Sequence, residues 1–355
     1  MKQIIILIIL LFLLSCDEDE NPVLPNGETY EGSGGTVSES GRWKEFNTSN
    51  SYLPSDIIRC LEIDENNNIW IGTDEGLVFY DESKWTIYNT NNSRIPKNQV
   101  WSLACEDDTV WVGLTDNGGL AKFDGNNWKI YNSDNTSFPS NPDEIELVIT
   151  TIKIDSKHNI WIGTNNYGLY KFDKKNWTVY YPKYETPISS PAIAAIDIEE
   201  NDIVWIGHEE VAGVDKFDGN NWTNYTPDNS PLPNWRIIDL YIDRMNVKWF
   251  ATDFGLAEFN DIDWTVYDTT NTSIPDESIF TISSDSQNNL WVGTFSGALL
   301  NMNNNEWTTY YINDVSEPSV PYIPLYSIKV DQYDNKWFGT IGYGLYKFNE
   351  YGLDN

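Results

Sequence analysis

Seven times along this chain a tryptophan stands two residues before a glycine or alanine, inside a short β-branched run. The seven are Trp70, Trp111, Trp161, Trp205, Trp249, Trp291 and Trp337, 41 to 50 residues apart. A period of that length marks a repeat array, and the repeat decides the fold before any single motif does. Every copy keeps the same neighbours. Upstream is an alternating apolar segment that ends in an acid, as in Leu61-Glu62-Ile63-Asp64 or Ile328-Lys329-Val330-Asp331. Downstream comes a Gly-Leu segment such as Gly168-Leu169-Tyr170-Lys171-Phe172-Asp173, then a turn such as Asp124-Gly125-Asn126-Asn127. The unit closes on a second tryptophan, as in Trp85-Thr86-Ile87-Tyr88. Each unit is therefore four short runs rich in β-branched and aromatic residues, punctuated by Asn, Asp and Gly. No stretch sustains a 3.6-residue period, so almost no helix is expected. Four strands per 40–50 residues is the signature of a propeller blade.

The count predicts how the ring closes. The second tryptophan occurs at Trp43, Trp85, Trp128, Trp177, Trp222, Trp264 and Trp307. The last unit ends at Tyr346-Lys347-Phe348 without a fourth strand, and Gly41-Arg42-Trp43-Lys44-Glu45-Phe46 is a fourth strand without a unit. The expected fold is all-β: a seven-bladed β-propeller with four antiparallel strands per blade, the N-terminal strand pairing with the C-terminal blade. Such pairing removes sheet edges that would otherwise invite aggregation. Fourteen of the 16 tryptophans occupy the two repeated positions and are expected in the core. Repeat register places Cys60 level with Ser102 and Cys105 three residues further on. That is an offset of ~10 Å, too far for a disulfide.

The Trp-Ile-Gly-Thr, Gly-Leu, Phe-Asp-Gly-Asn-Asn-Trp-Thr-x-Tyr pattern resembles the two-component regulator propeller repeat, over residues 42 to 349. The copies at Trp249-Phe250-Ala251 and Ser296-Gly297-Ala298-Leu299 depart from it. In that family such propellers often form the periplasmic sensor of hybrid histidine kinases. The resemblance implies a ligand- or partner-binding module.

The N-terminus reads as an address. Lys2 precedes an apolar run, Ile4 to Leu14, that matches a signal-peptide core and is shorter than the ~20 residues of a spanning helix. Leu13-Leu14-Ser15-Cys16 resembles the bacterial lipobox, which implies lipidation of Cys16 and a membrane anchor of two or three acyl chains. Residues 1–15 are read as signal peptide, 16–41 as an acidic disordered tether, and 42–355 as the propeller. Asp17-Glu18-Asp19-Glu20 directly after the cysteine resembles the export signal of some Bacteroidetes-type surface lipoproteins; elsewhere an Asp there resembles an inner-membrane retention signal. The outer membrane or cell surface is the preferred location within the envelope.

Composition bounds the partners. With 54 Asp and Glu against 22 Lys and Arg, the formal net charge is −32, which repels nucleic acid. Two histidines and no Cys/His spacing give no zinc site, and the Asn-rich turns lack the ligand spacing of a calcium loop. No cofactor or catalytic residue is assigned, and a monomer is expected. Since equivalent positions cannot mark one site, binding is sought where the repeats differ. In propellers that is the face carrying the loops between second and third strands and between blades. The candidates there are Trp101, Tyr167, His208, Glu209, Trp235, Arg236, Phe254, Phe295 and Tyr343. Aromatics among acids and amides suit an unknown glycan, a peptide or an envelope protein. The leading function is a non-enzymatic envelope-binding lipoprotein. An accessory sensor in a glycan-responsive two-component pathway and a propeller lyase or hydrolase are the alternatives.

Overall fold

A computed structural model describes residues 27–133, 146–182, 186–312 and 323–353. Cys16 and the leader lie outside the described residues. Thirty strands form seven sheets in a ring, with no α-helix among the described residues. Preceding the first unit are β1 (Glu28–Glu31), β2 (Thr36–Val37) and β3 (Trp43–Phe46). Blade one holds β4 (Ile58–Ile63), β5 (Ile69–Thr73), β6 (Gly76–Tyr80) and β7 (Lys84–Tyr88). Blade two holds β8 (Val100–Glu106), β9 (Thr109–Leu114), β10 (Leu120–Phe123) and β11 (Trp128–Tyr131). Blade three holds β12 (Ile149–Ile154), β13 (Ile160–Thr164), β14 (Leu169–Phe172) and β15 (Trp177–Tyr180). Blade four holds β16 (Ile193–Ile198), β17 (Val204–His208), β18 (Val214–Phe217) and β19 (Trp222–Tyr225). Blade five holds β20 (Asp239–Ile242), β21 (Lys248–Thr252), β22 (Gly255–Phe259) and β23 (Trp264–Tyr267). Blade six holds β24 (Ile279–Ser284), β25 (Leu290–Thr294), β26 (Ala298–Asn303) and β27 (Glu306–Tyr311). Blade seven holds β28 (Leu325–Val330), β29 (Lys336–Thr340) and β30 (Leu345–Phe348), and is completed by β3, which pairs antiparallel with β30 from Trp43↔Phe348 to Phe46↔Leu345. The first strand of each blade faces the axis.

The repeat phrase explains its own packing. Each tryptophan of the second strands is buried, and its indole N–H donates to the acid that ends the preceding strand. Trp161 donates to Asp155 at 2.9 Å, Trp205 to Glu199 at 2.7 Å and Trp337 to Asp331 at 2.9 Å. The same pair recurs at Trp70, Trp111, Trp249 and Trp291. Each ring also crosses a seam: Trp161 packs among Ile193, Val204 and Phe217 of blade four, and Trp337 among Ile58, Ile71 and Trp85 of blade one. The glycine two residues on lets the next blade approach. A Cβ on Gly163 would stand 2.6 Å from Ile193 Cγ2, and one on Gly339 2.4 Å from Ile58 Cγ2.

Two sequence expectations need correction. The outer tryptophans are not uniformly core: Trp128, Trp177, Trp222, Trp264 and Trp307 are half-buried, because the fourth strand is the rim of the disc. They stack across strands instead, as Phe172 does on Trp177 at 4.2 Å. Trp43 and Trp85 alone of the seven are fully buried, because the N-terminal strands β1 and β2 pair along the rim beside them. The stretch read as a disordered tether is ordered from Gly27. Strand β1 pairs with β7 from Glu28↔Ile87 to Glu31↔Lys84, and β2 pairs with β3. Low apolar content did not prevent this, since an open edge supplies backbone partners to any sequence. The strap runs across the seam between blades one and seven. The Tyr80 hydroxyl donates to the Ser33 carbonyl at 2.9 Å, and Tyr30 stacks on Tyr52 at 4.9 Å. Cys60 and Cys105 are free, as register required.

Candidate functional site at the channel mouth

The seven axial strands surround a cavity of about 440 Å³. Its mouth is set by the second residue of each innermost segment: Arg59, Trp101, Thr150, Ala194, Ile238, Phe280 and Tyr326. Blades six, seven, one and two thus contribute Phe, Tyr, Arg and Trp in unbroken order, while blades three to five contribute small or aliphatic side chains. The sevenfold ring becomes a lopsided cup. The Arg59 guanidinium lies 4.3 Å from the Trp101 ring centroid and is held from behind by Asp74, which receives its Nε and Nη2. Phe280 meets Tyr326 edge-on at 5.2 Å and Phe295 at 5.6 Å. Arg236 reaches Asp253 at 3.2 Å and Glu209 at 3.8 Å.

Below the mouth the wall is charged. Lys329 pairs with Glu62 at 2.8 Å, and Lys153 with Asp197 at 3.0 Å. Burial opposes the charge on Lys153, but the carboxylates of Asp197 and Glu62 outweigh it and raise its pKa. Asp239 accepts the Ile282 N–H at 2.9 Å and its neighbour Leu240 N–H at 2.8 Å. Burial pushes its carboxyl up to about 6, against those two donors and the more distant Lys153 and Lys329. Among the described residues no group of three or more His, Cys, Asp or Glu could hold a metal ion.

The structure sorts the residues chosen from sequence. Trp101, Glu209 and Arg236 line the cavity. Phe254 and Phe295 are exposed on the same face, at 59% and 46%. Trp235 is half-buried, its carbonyl receiving the Gly213 N–H at 2.8 Å, and Tyr343 is half-buried against the core of blade seven. Tyr167 and His208 are corrections: both are buried and present no surface to a ligand. Tyr167 packs into the seam between blades two and three. His208 replaces a threonine that is fully buried at Thr73, Thr164, Thr252, Thr294 and Thr340, so it inherits an enclosed position. Its Nε2 meets Asp215 at 2.9 Å, and Asp215 also receives the Ser189 hydroxyl and the Asn224 amide. His158 stands in a turn of the opposite face, its Nδ1 2.6 Å from Glu106. Sequence reading missed Arg59, Phe280 and Tyr326. The signal was available, since each aligns with Trp101.

The description of the two component regulator propeller matches residues 52–75, 144–166 and 273–296. No curated protein matches the chain. Among solved structures, the extracellular domain of a hybrid two component system from B. thetaiotaomicron is 20% identical, with a TM-score of 0.70 over 87% of this chain and 41% of that one. The chain thus spans about two fifths of that relative's length. Virginiamycin B lyase from Staphylococcus aureus is 16% identical, with a TM-score of 0.67 over 86% of this chain and 98% of that one. YCF48 from Cyanidioschyzon merolae is 13% identical, with a TM-score of 0.61 over 88% and 100%. At these identities the likeness is one of fold. With the repeat matched in three units and seven four-stranded blades closed in a ring, the chain is a seven-bladed propeller that carries two-component regulator propeller repeats.

Proposed function

We propose that this propeller is a non-enzymatic binding module of the cell envelope, anchored by a lipid on Cys16 and recognising its ligand at the channel mouth. One observation carries the reading: Phe280, Tyr326, Arg59 and Trp101 stand side by side on four consecutive blades around an open cavity. Aromatic rings and a guanidinium offer flat apolar faces with a few oriented donors, the composition of recognition sites for sugars and peptides and of protein hot spots. The fold shared with an extracellular domain of a two component system supports a second reading, in which the module is an accessory sensor passing occupancy to a membrane partner.

The test is capture on an array of envelope glycans and peptides, with Trp101→Ala beside wild type and Ile262→Ala on the opposite face as control. Loss of a hot-spot aromatic typically costs at least ~1–2 kcal/mol, so tenfold or weaker capture by Trp101→Ala is the expected result. Equal capture by Trp101→Ala and weakened capture by Ile262→Ala would place the site on the other side of the disc.

A further inference from the structure

The ordered strap fixes where the chain leaves the disc. Gly27 donates its N–H to the Asn92 carbonyl at 3.0 Å, and a Cβ on it would touch the Tyr88 ring. Asn92 belongs to the loop that leads from β7 into blade two, on the face that carries Asp74, Arg59 and the channel mouth. Strand β1 then runs from that face toward the opposite one, Glu31 lying beside Lys84. The leader therefore joins the propeller at the rim of the mouth face. Ten residues separate Cys16 from Gly27, and whatever their conformation they reach at most ~36 Å. To bring the opposite face onto the membrane they would have to retrace the outer edge of blade one. A six-residue strand such as β4 spans ~20 Å, so less than half the reach would be left.

The same face bears apolar side chains in sequence around the ring. The loops after the second strands are polar in blades one to three, where Glu75, Asp116 and Asn166 stand out. In blades four to six the equivalent loops expose Val211 at 76%, Phe254 and Phe295. Phe295 runs into Phe280 and Tyr326 at the mouth, so crescent and cup form one surface. The opposite face exposes Met245, Ile262, Tyr333 and Tyr351, each on a separate turn. A bare lipid surface is a poor occupant for the crescent, because a chain of net charge −32 is repelled by anionic headgroups. Phe, Tyr, Trp and Arg together are the anchors of protein interfaces.

We infer that the short leader holds the channel-mouth face toward the membrane, and that this face docks a protein held in the same membrane. The inference rests on the lipid-anchor reading of Cys16. The test uses the full lipidated chain in neutral phosphatidylcholine vesicles carrying acceptor dye on the headgroups. Donors go on Glu210→Cys and Asn220→Cys, exposed positions on opposite faces of blade four. Energy transfer should be higher from position 210 than from 220. Inserting about thirty Gly and Ser residues after Glu20, which adds ~30 Å of mean reach, should shrink the difference. Equal or reversed transfer from acylated protein overturns the orientation alone. A wild type without acyl mass removes the anchor reading and the orientation with it. In cells, a photoreactive analogue at Phe254 should crosslink to a protein that stays with the membrane after a carbonate wash. Adducts only to lipid, only to soluble protein, or none, overturn the partner.

Discussion

At the residue scale the fold rests on one pair repeated seven times, an acid and an indole six or five residues apart. Asp331 shows the arrangement most fully. It is 4% exposed and accepts the N–H groups of Tyr333 and Asn335, the Asn335 amide and the Trp337 indole, each at 2.9 Å. Removing such an acceptor leaves several buried donors unpaired, each costing ~1–3 kcal/mol where water cannot replace it. Asp331→Ala should therefore lower stability by about 3 kcal/mol or more in denaturant titration, although no apolar contact is lost. Asp239 gives a second, pH-dependent outcome. Its folded carboxyl titrates near 6 while an unfolded aspartate titrates near 4, so the folded state binds the extra proton between those values. Stability contributed by this group falls as pH rises from about 4 to about 6 and is level above. Asp239→Asn should remove that slope, read as a smaller difference in denaturant midpoint between pH 4.5 and 6.5. The cysteines are partly buried, and that burial pushes both thiols above their ordinary range, so native protein should react slowly with maleimide and unfolded protein fast.

At the element scale the seam between blades one and seven is where the ring can open. Strand β3 closes it by pairing, and β1 and β2 cover the two edges that flank it. This is why Trp43 and Trp85 are buried while the other five outer tryptophans are not. Deleting residues 27–37 should leave a closed, monomeric ring of reduced stability, with two further tryptophans accessible to acrylamide quenching. Deleting on through residue 47 should expose the edge of β30 and bring aggregation. A strap deletion that quenches like wild type would show that β1 and β2 do not cover those rings. Ring, strand order and closing strand were legible because a 41–50-residue period carries them. The strap was not. Residues 28–37 share no phrase with the repeat, and their pairing uses backbone groups that any side-chain pattern conceals. Tyr167 and His208 were misplaced for a related reason. Loop position tells which end of the disc a residue occupies, but not whether its side chain turns toward solvent or into a seam. For His208, the buried threonine it replaces in five other blades was the available clue.

At the scale of the whole molecule, seven nearly equivalent blades make a rigid ring that has no unique place until the equivalence is broken. The differences fall at the channel mouth, at the second residue of four axial strands, and they are contiguous: Phe280, Tyr326, Arg59, Trp101. Loops of blades four to six extend that asymmetry outward as Val211, Phe254 and Phe295, and the leader joins the rim of the same face. The site, the apolar crescent and the attachment point therefore share one end of the disc, while the opposite end carries the tight Asn and Asp turns that hold the blades in register. The most direct test is hydrogen–deuterium exchange of the full chain with and without the ligand recovered from the array. The account predicts slowed exchange in residues 58–60, 100–102, 279–281 and 325–327, with the turns at 244–246 and 261–263 unchanged. Slowed exchange in those turns, with the four axial segments unaffected, would contradict it.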